Sequence, residues 1–235
     1  MGSVETIIGL LQRHPAFAAL GEEGRRLCAH SLREQSVVAG ETLFLRGDPG
    51  KSLYLVLEGR LRLAVNSQEG RELSVRIVSA GEIVGELAAL DEGPRTADAT
   101  AIQPTRIAAL GCDALRRLIA QHPDFALAII RFLCGRVRDT TDQLETVALH
   151  PVEVRLARFL LVSLSGLGVA PPRATPLKLG LSLGELAQLL GASRPKINVA
   201  FGKLESLGAL KREPGRLICD GIALKQIAGG MDADE

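Results

Sequence analysis

Two stretches of the chain carry side chains whose types and spacing could do chemistry. Residues 85–97 read GELAALDEGPRTA. Arg95 offers a planar fork of N–H donors suited to paired phosphate oxygens. Glu86 is a carboxylate acceptor suited to a ribose hydroxyl, and Thr96, beside the arginine, adds a further donor. A short helical turn opening at Glu86, directly after Gly85, would point unpaired N–H groups at an anion, with Leu87 and Ala88 as its first apolar residues. An ion pair between Glu86 and Arg95 in a barrel loop would account for those two residues, but less easily for the whole string.

The second stretch, 181–204, reads LSLGELAQLLGASRPKINVAFGKL. Ser182 and Glu185 stand at capping-box spacing, so a helix starts there, with Leu186, Leu189 and Leu190 as its apolar face. Gly191-Ala192 makes a tight turn. Ser193 is placed to cap a second helix that accepts Pro195 in its first turn. Ile197, Ala200, Phe201 and Leu204 bury one side of that helix and leave Arg194, Lys196, Asn198, Val199 and Lys203 on the others. The spacing predicts a helix-turn-helix whose second helix can enter a DNA major groove. There Arg194 suits guanine O6 and N7, lysine and serine suit phosphates, and Val199 suits a thymine methyl. Residues 208–220, turning at Pro214-Gly215, read as the hairpin of a winged variant.

These strings need elements to hold them. A chain of 235 residues, 46% hydrophobic and 23% charged, can build one large domain or two small ones with ample core. Its net charge of +1 names no partner. No apolar run nears the ~20 residues that span a bilayer, and the N-terminus has no basic-then-apolar leader, so a soluble cytoplasmic protein without membrane contact is expected. Cys28, Cys112, Cys134 and Cys219 form no C-x-x-C pair, and the four histidines lack ligand spacing, so no metal is expected. The absence of tryptophan and the single tyrosine argue against an aromatic stacking platform.

Residues 4–32 read as short helices. Between 37 and 110, short apolar runs (42–45, 53–57, 61–65, 73–78 and 105–109) alternate with turn glycines, which suggests a compact antiparallel barrel or roll. Pro123 opens a long helix to about Leu149. Ile130, Leu133, Val137, Thr140, Leu144 and Val147 follow heptad spacing along it, the pattern by which two parallel helices pair, although packing within one domain can produce it as well. His150-Pro151 ends the helix, a further helix covers 152–164, and a Pro/Gly-rich loop covers 166–176. Residues 151–230 hold eleven Lys/Arg against five Asp/Glu, so a basic C-terminal part follows a mildly acidic N-terminal one. That asymmetry suits a nucleic-acid reader joined to a sensor.

The string G-E-L-A-(x)6-R-T-A resembles the phosphate-binding cassette of cyclic-nucleotide-binding domains, and residues 47–59 (GDPGKSLYLVLEG) resemble the glycine-punctuated strands that precede it. With the heptad helix and the helix-turn-helix, the chain is similar over nearly its whole length to the Crp/Fnr family of transcription regulators, in its cyclic-nucleotide-responsive branch. The resemblance implies an α+β chain: a jelly-roll-like β-roll sensor (1–122, with the roll at about 36–110), a dimerisation helix (123–149) and a winged helix-turn-helix (150–235). It implies no enzyme activity. Glu86 matches the family's ribose 2′-OH acceptor and Arg95 its cyclic-phosphate clamp, within the cassette residues Gly85, Leu87 and Ala88. Thr96 and Ala97 match the positions beside that phosphate. Arg136 falls where the family has an arginine next to the cassette glutamate. Thr140 and Thr141 align with the pair that touches the purine, one from each subunit, which would explain a polar residue on the seam.

Cyclic AMP is the ligand favoured by the resemblance, with cyclic GMP a co-ligand or competitor because threonine follows the cassette arginine. Arg76 reads as a surface residue, with a guanine contact as its alternative. The family's recognition helix usually reads Arg-Glu-x-x-x-Arg, and here Pro195 and Val199 replace the second and last of these, so the operator half-site is not transferable. The implied partners are a pseudo-palindromic DNA site, a second copy of the chain and RNA polymerase, the last through the 170–176 loop. An iron–sulfur sensor is not supported, since the N-terminal cysteine cluster is missing. Two rival readings remain: the same DNA reader with a different trigger, such as Cys112 or Cys134 redox chemistry, or none; and a nucleotide-binding module acting through protein partners, its helix-turn-helix vestigial.

Overall fold

Strand-forming sequence starts as soon as the N-terminal helices end. Helices α1 (Gly2–Arg13) and α2 (Glu22–Ser31), with a 3-10 turn at Phe17–Ala19 between them, lead into β1 (Arg33–Val37), β2 (Thr42–Phe44), β3 (Ser52–Glu58), β4 (Arg60–Asn66), β5 (Glu72–Ser79) and β6 (Ile83–Val84). Helix α3 (Glu86–Asp91) separates β6 from β7 (Asp98–Ala101) and β8 (Thr105–Gly111). Then come α4 (Cys112–Gln121), α5 (Pro123–Leu149), α6 (Val152–Ser165), β9 (Thr175–Leu177), α7 (Leu183–Leu189), α8 (Arg194–Ser206), β10 (Leu210–Glu213), β11 (Arg216–Cys219) and α9 (Gly221–Gly229). This is a computed structural model, and it describes residues 2–66, 72–165 and 174–229. The chain divides into two compact units, Met1–Asp139 and Thr140–Glu235.

In the first unit two four-stranded antiparallel sheets, ordered β1-β8-β3-β6 and β2-β7-β4-β5, form the expected roll. Val56, Val78, Val84, Ala101 and Ile107 from both sheets share one buried cluster. The opposite face of β3, with Leu53 and Leu55, is covered by Leu11, Phe17, Leu115, Leu118 and Phe125 from the helical elements. β3 is thus apolar on both faces, and so its sequence reads as a continuous run rather than an alternation.

The roll begins at Arg33, earlier than the reading from 37, because only Val37 of the polar β1 is buried and the strand is held by its ladder to β8. β6 and β7 are two and four residues long, too short to show a period. Helix α4 was not anticipated. Its amphipathic turn is short and its core contacts come from Leu115 and Leu118.

Gly59 makes the β3–β4 turn at φ +88, and a Cβ there would lie 2.5 Å from the Pro104 carbonyl oxygen and from Thr105 Oγ1. Gly59→Ala is expected to cost the N-terminal unit about 3 kcal/mol, from the left-handed backbone and the backbone clash together. The check is its urea midpoint by circular dichroism.

The second unit buries Leu156, Leu160 and Leu164 of α6 against Leu186, Ile197, Phe201 and Leu204 of α7 and α8, and against Leu210, Leu217 and Leu224. The wing hairpin turns at Pro214-Gly215 as expected, and β9 extends it to a three-stranded sheet ordered β10-β11-β9. Where α5 ends, one arginine gathers the surrounding carbonyls. Arg155 donates to His150 O at 2.8 Å, Val147 O at 2.5 Å and Leu190 O at 3.0 Å. Among the described residues no single helix is long and apolar enough to cross a membrane.

Candidate functional site

The cassette is shaped by two left-handed residues. β6 stops at Gly85 (φ +77), α3 runs from Glu86 to Asp91, and Glu92 (φ +59) ends it. The return segment is pinned to the loop before β3: Arg95 N donates to Asp48 O and Gly47 N donates to Arg95 O, both at 2.9 Å. Gly50 is needed for that closeness, because its Cβ would fall 2.1 Å from the Cβ of Ala88. The result is a cleft with about 340 Å³ of open space, walled by Gly85–Ala88, Arg95–Ala97, Phe44, Leu63 and Val84.

Arg95 is 4% exposed. Its Nη1 donates to Gly85 O at 2.9 Å and its Nη2 to Ser52 O at 2.8 Å. The rings of Phe44 and Tyr54 lie 4.3 and 5.4 Å from the guanidinium carbon. Its Nε is buried with no hydrogen-bond partner. Burial pushes the guanidinium pKa down, opposed by Tyr54, Cys112 and Asp48. The arginine is therefore turned to backbone carbonyls and aromatic rings, with none of the hydrogen bonds just named going to Glu86. Burial raises the pKa of Glu86, while its own backbone N–H, Arg76 and Arg95 oppose the rise. Thr96 and Leu87 are exposed, and Ala88 and Ala97 are buried.

The sequence did not single out Glu82, yet it organises the charges next to the cassette. Its carboxylate meets Arg76 Nη2 at 3.2 Å and Arg136 Nη2 at 3.9 Å, and accepts the Ser79 N–H at 2.8 Å. Arg136 also lies over the Phe132 ring at 4.9 Å. Arg136, expected next to Glu86, also reaches Glu82. The signal available was the turn Gly81-Glu82 just before the cassette. Arg76 is not a surface residue: its side chain is 22% exposed, it also donates to Ile83 O at 3.3 Å, and burial lowers its pKa against Glu82, Glu86 and Asp139. The cassette residues are thus brought together, and Arg136 joins them through Glu82. Thr140 and Thr141 are exposed on α5 and belong to the second unit.

In the second unit the helix-turn-helix has the expected joints. Ser182 Oγ accepts the Glu185 N–H at 3.2 Å, and Glu185 Oε2 accepts the Ser182 N–H at 2.6 Å, completing the capping box. Gly191 (φ +60) ends α7, with Ala192 N donating to Ala187 O and Gly191 N to Gln188 O, a Schellman turn. Ser193 occupies the N-cap position of α8 but makes no side-chain cap bond. Such a bond goes to the second or third helical N–H, and the second residue here is Pro195, which has none.

On the outer face of α8, Pro195, Lys196 and Asn198 are exposed, and Val199 is 71% exposed. The Arg194 head lies across Gly184, where a Cβ would be 2.5 Å from its Nη2. Lys203 is ion-paired to Glu153 of α6, and its hydrogen bond holds the Glu153 carboxyl below the usual carboxylate range. Arg212 clamps Glu205 with Nε at 3.0 Å and Nη2 at 2.6 Å, tying the wing to α8. Of the residues expected at DNA, Lys203 is thus engaged with the protein itself.

Residues 34–122 match the family model of the cyclic nucleotide-binding domain, and residues 154–227 match that of the Crp-like helix-turn-helix domain. A CRP-like cAMP-activated global transcriptional regulator of Mycobacterium tuberculosis is 33% identical over 204 residues, 87% of this chain and 91% of its own. The cyclic AMP receptor protein of Thermus thermophilus is 31% identical over 219 residues, 92% of this chain and 98% of its own. Among solved structures, a CooA mutant from Carboxydothermus hydrogenoformans aligns with a TM-score of 0.73 at 23% identity, over 85% of this chain and 89% of that one, a likeness of fold. The Thermus thermophilus catabolite activator protein aligns with a TM-score of 0.53 at 29% identity, over 92% of this chain and 99% of that one. A β-roll with its cassette and a winged helix-turn-helix, both matched in full-length relatives, make this chain a member of the Crp/Fnr family of transcription regulators, and not an enzyme.

Proposed function

We propose that the protein is a homodimeric transcription regulator whose binding to a two-fold-symmetric DNA site is controlled by a cyclic nucleotide, with cyclic AMP the preferred ligand. The observation that carries this reading is the cleft, in which residues suited to phosphate and ribose converge on a buried arginine with an unpartnered Nε. In it Arg95 clamps the cyclic phosphate, Glu86 accepts from the ribose, and Thr96 and Ala97 flank the phosphate. Thr140 and Thr141 read the base. The units divide functionally into a sensor (1–122), a dimerisation helix (123–149) and a DNA reader (150–235). Preference for one arrangement of α5 in the liganded dimer would supply the coupling.

Arg76 spends its Nη2 on Glu82 and the Ile83 carbonyl. Thr96 is the residue that speaks for cyclic GMP as a competitor, and cyclic AMP remains the first ligand of this reading. Isothermal titration with each nucleotide tests the sensor: micromolar, saturable binding of cyclic AMP is expected, and heat from neither nucleotide would reject the reading. RNA polymerase is the further partner of this reading, and the cytoplasm its compartment. The loop expected to meet the polymerase lies largely outside the described residues, which resume at Ala174.

The DNA face makes a separable prediction. Arg194→Ala is expected to cost ~1–3 kcal/mol at one base position and relax specificity there, whereas Lys196→Ala should weaken all sequences alike and reduce the salt slope by about one. Random-sequence selection and salt-dependent gel shifts check the two. Ser182, Ser193 and Asn198 complete this contact surface, with Pro195 and Val199 as its apolar part.

A further inference from the structure

Arg95 has five N–H donors, and two hydrogens are committed to the Gly85 and Ser52 carbonyls. Its buried Nε keeps one donor with no partner, and such groups in native proteins call for an explanation. An Nε–Nη edge is the two-pronged edge that a phosphate takes, so ligand can be accepted without breaking either carbonyl bond. Beyond those carbonyls, two rings hold this long side chain. The neighbours are aromatic. Phe44 of β2 and Tyr54 of β3 come from different sheets, are stacked with centroids 5.9 Å apart, and pack together into the roll interior. Phe44 lines the cleft itself.

Resting on the nucleotide reading above, we infer that Phe44 and Tyr54 are positioning residues: an aromatic clip, 4.3 and 5.4 Å from the Arg95 guanidinium, that orients this arginine for phosphate before the ligand arrives. The physical gain is preorganisation. Fixing an arginine costs side-chain entropy, and a clip that fixes it in the empty site removes that cost from binding. The ring face of Phe44 does this without a hydrogen-bond acceptor that would compete with the phosphate. The gap of one donor at Nε follows from the same arrangement, since rings stabilise the cation through their faces and leave the in-plane donors for an anion.

Tyr54 is the only tyrosine in the chain. Protein labelled with 3-fluorotyrosine therefore gives a single fluorine resonance, reporting on the clip in the intact chain. Saturating cyclic AMP is expected to shift this resonance, because a phosphate on Arg95 changes the field at the Tyr54 ring. Phe44→Leu, which keeps apolar bulk but loses the ring face, is expected to bind cyclic AMP about tenfold more weakly, and Phe44→Tyr to restore affinity to within about twofold. Thermal unfolding of the unliganded variants checks that both are folded. Wild-type affinity in folded Phe44→Leu, or a resonance unmoved while calorimetry shows the site filled, overturns the clip and leaves the nucleotide reading standing. Absence of any binding to the unsubstituted protein overturns both.

Discussion

Arg95→Ala is expected to weaken cyclic AMP binding at least a hundredfold, to the point where titration shows no saturation. In the proposed complex the buried side chain brings a bidentate, charge-assisted contact to the phosphate. Hydrogen bonds to charged groups are worth ~1.5–3 kcal/mol each, so losing the pair corresponds to a factor of about 10² to 10⁴. The unliganded fold should survive, because the variant exchanges two orphaned carbonyls, of Gly85 and Ser52, for relief from a buried cation that the protein holds at a desolvation cost. Gly85→Ala should fail in the same assay for a different reason. Its Cβ would lie 2.2 Å from Arg95 Nη1, on a backbone already at φ +77, so the arginine would be displaced rather than removed. Calorimetry with thermal unfolding of both variants separates loss of the ligand contact from loss of the fold.

The second large effect concerns α5. Ile130, Val137 and Leu144 recur at heptad spacing and are 55%, 66% and 67% exposed. Three large apolar side chains in register on one stripe of a helix fit pairing with a second copy better than exposure to water. Introducing aspartate at both Val137 and Leu144 is expected to convert the proposed dimer to monomer, since each interface would bury four carboxylates facing apolar partners. DNA affinity should then drop by about 10² to 10⁴, because the second half-site is no longer presented at high effective concentration. Sedimentation gives the oligomeric state and gel shifts give the affinity. A variant that remains dimeric would move the interface elsewhere.

The readable parts of this chain are those in which local chemistry decides the outcome. The start of α5 at Pro123, the Ser182–Glu185 capping box and the Pro214-Gly215 wing turn all depend on neighbours in sequence, and all three are present. The cassette was legible for the same reason, as its residues lie within a single short string. What escaped depends on distant partners. β1 is polar and becomes a strand through its ladder to β8, in which Arg33 pairs with Ala109, 76 residues on. Lys203 meets Glu153 on another helix, and Arg136 meets Glu82 across the sequence. Nothing in the spacing of Phe44, Tyr54 and Arg95 announces that two sheets bring them together. Ser193 is the exception: Pro195 two residues later already removed one of its two cap partners.

The carbonyls gathered by Arg155 have a mechanical consequence. Its guanidinium takes one from Val147 in the last turn of α5, one from His150 at the break, and one from Leu190 at the end of α7, where the helix-turn-helix bends. The tail of the long helix and the corner of the DNA reader are therefore riveted through a single planar group. Proline severs the helical ladder there without making a loose joint. A twist delivered to the final turn of α5 reaches the recognition corner through this rivet, like torque passing from a shaft to a gear keyed on its end.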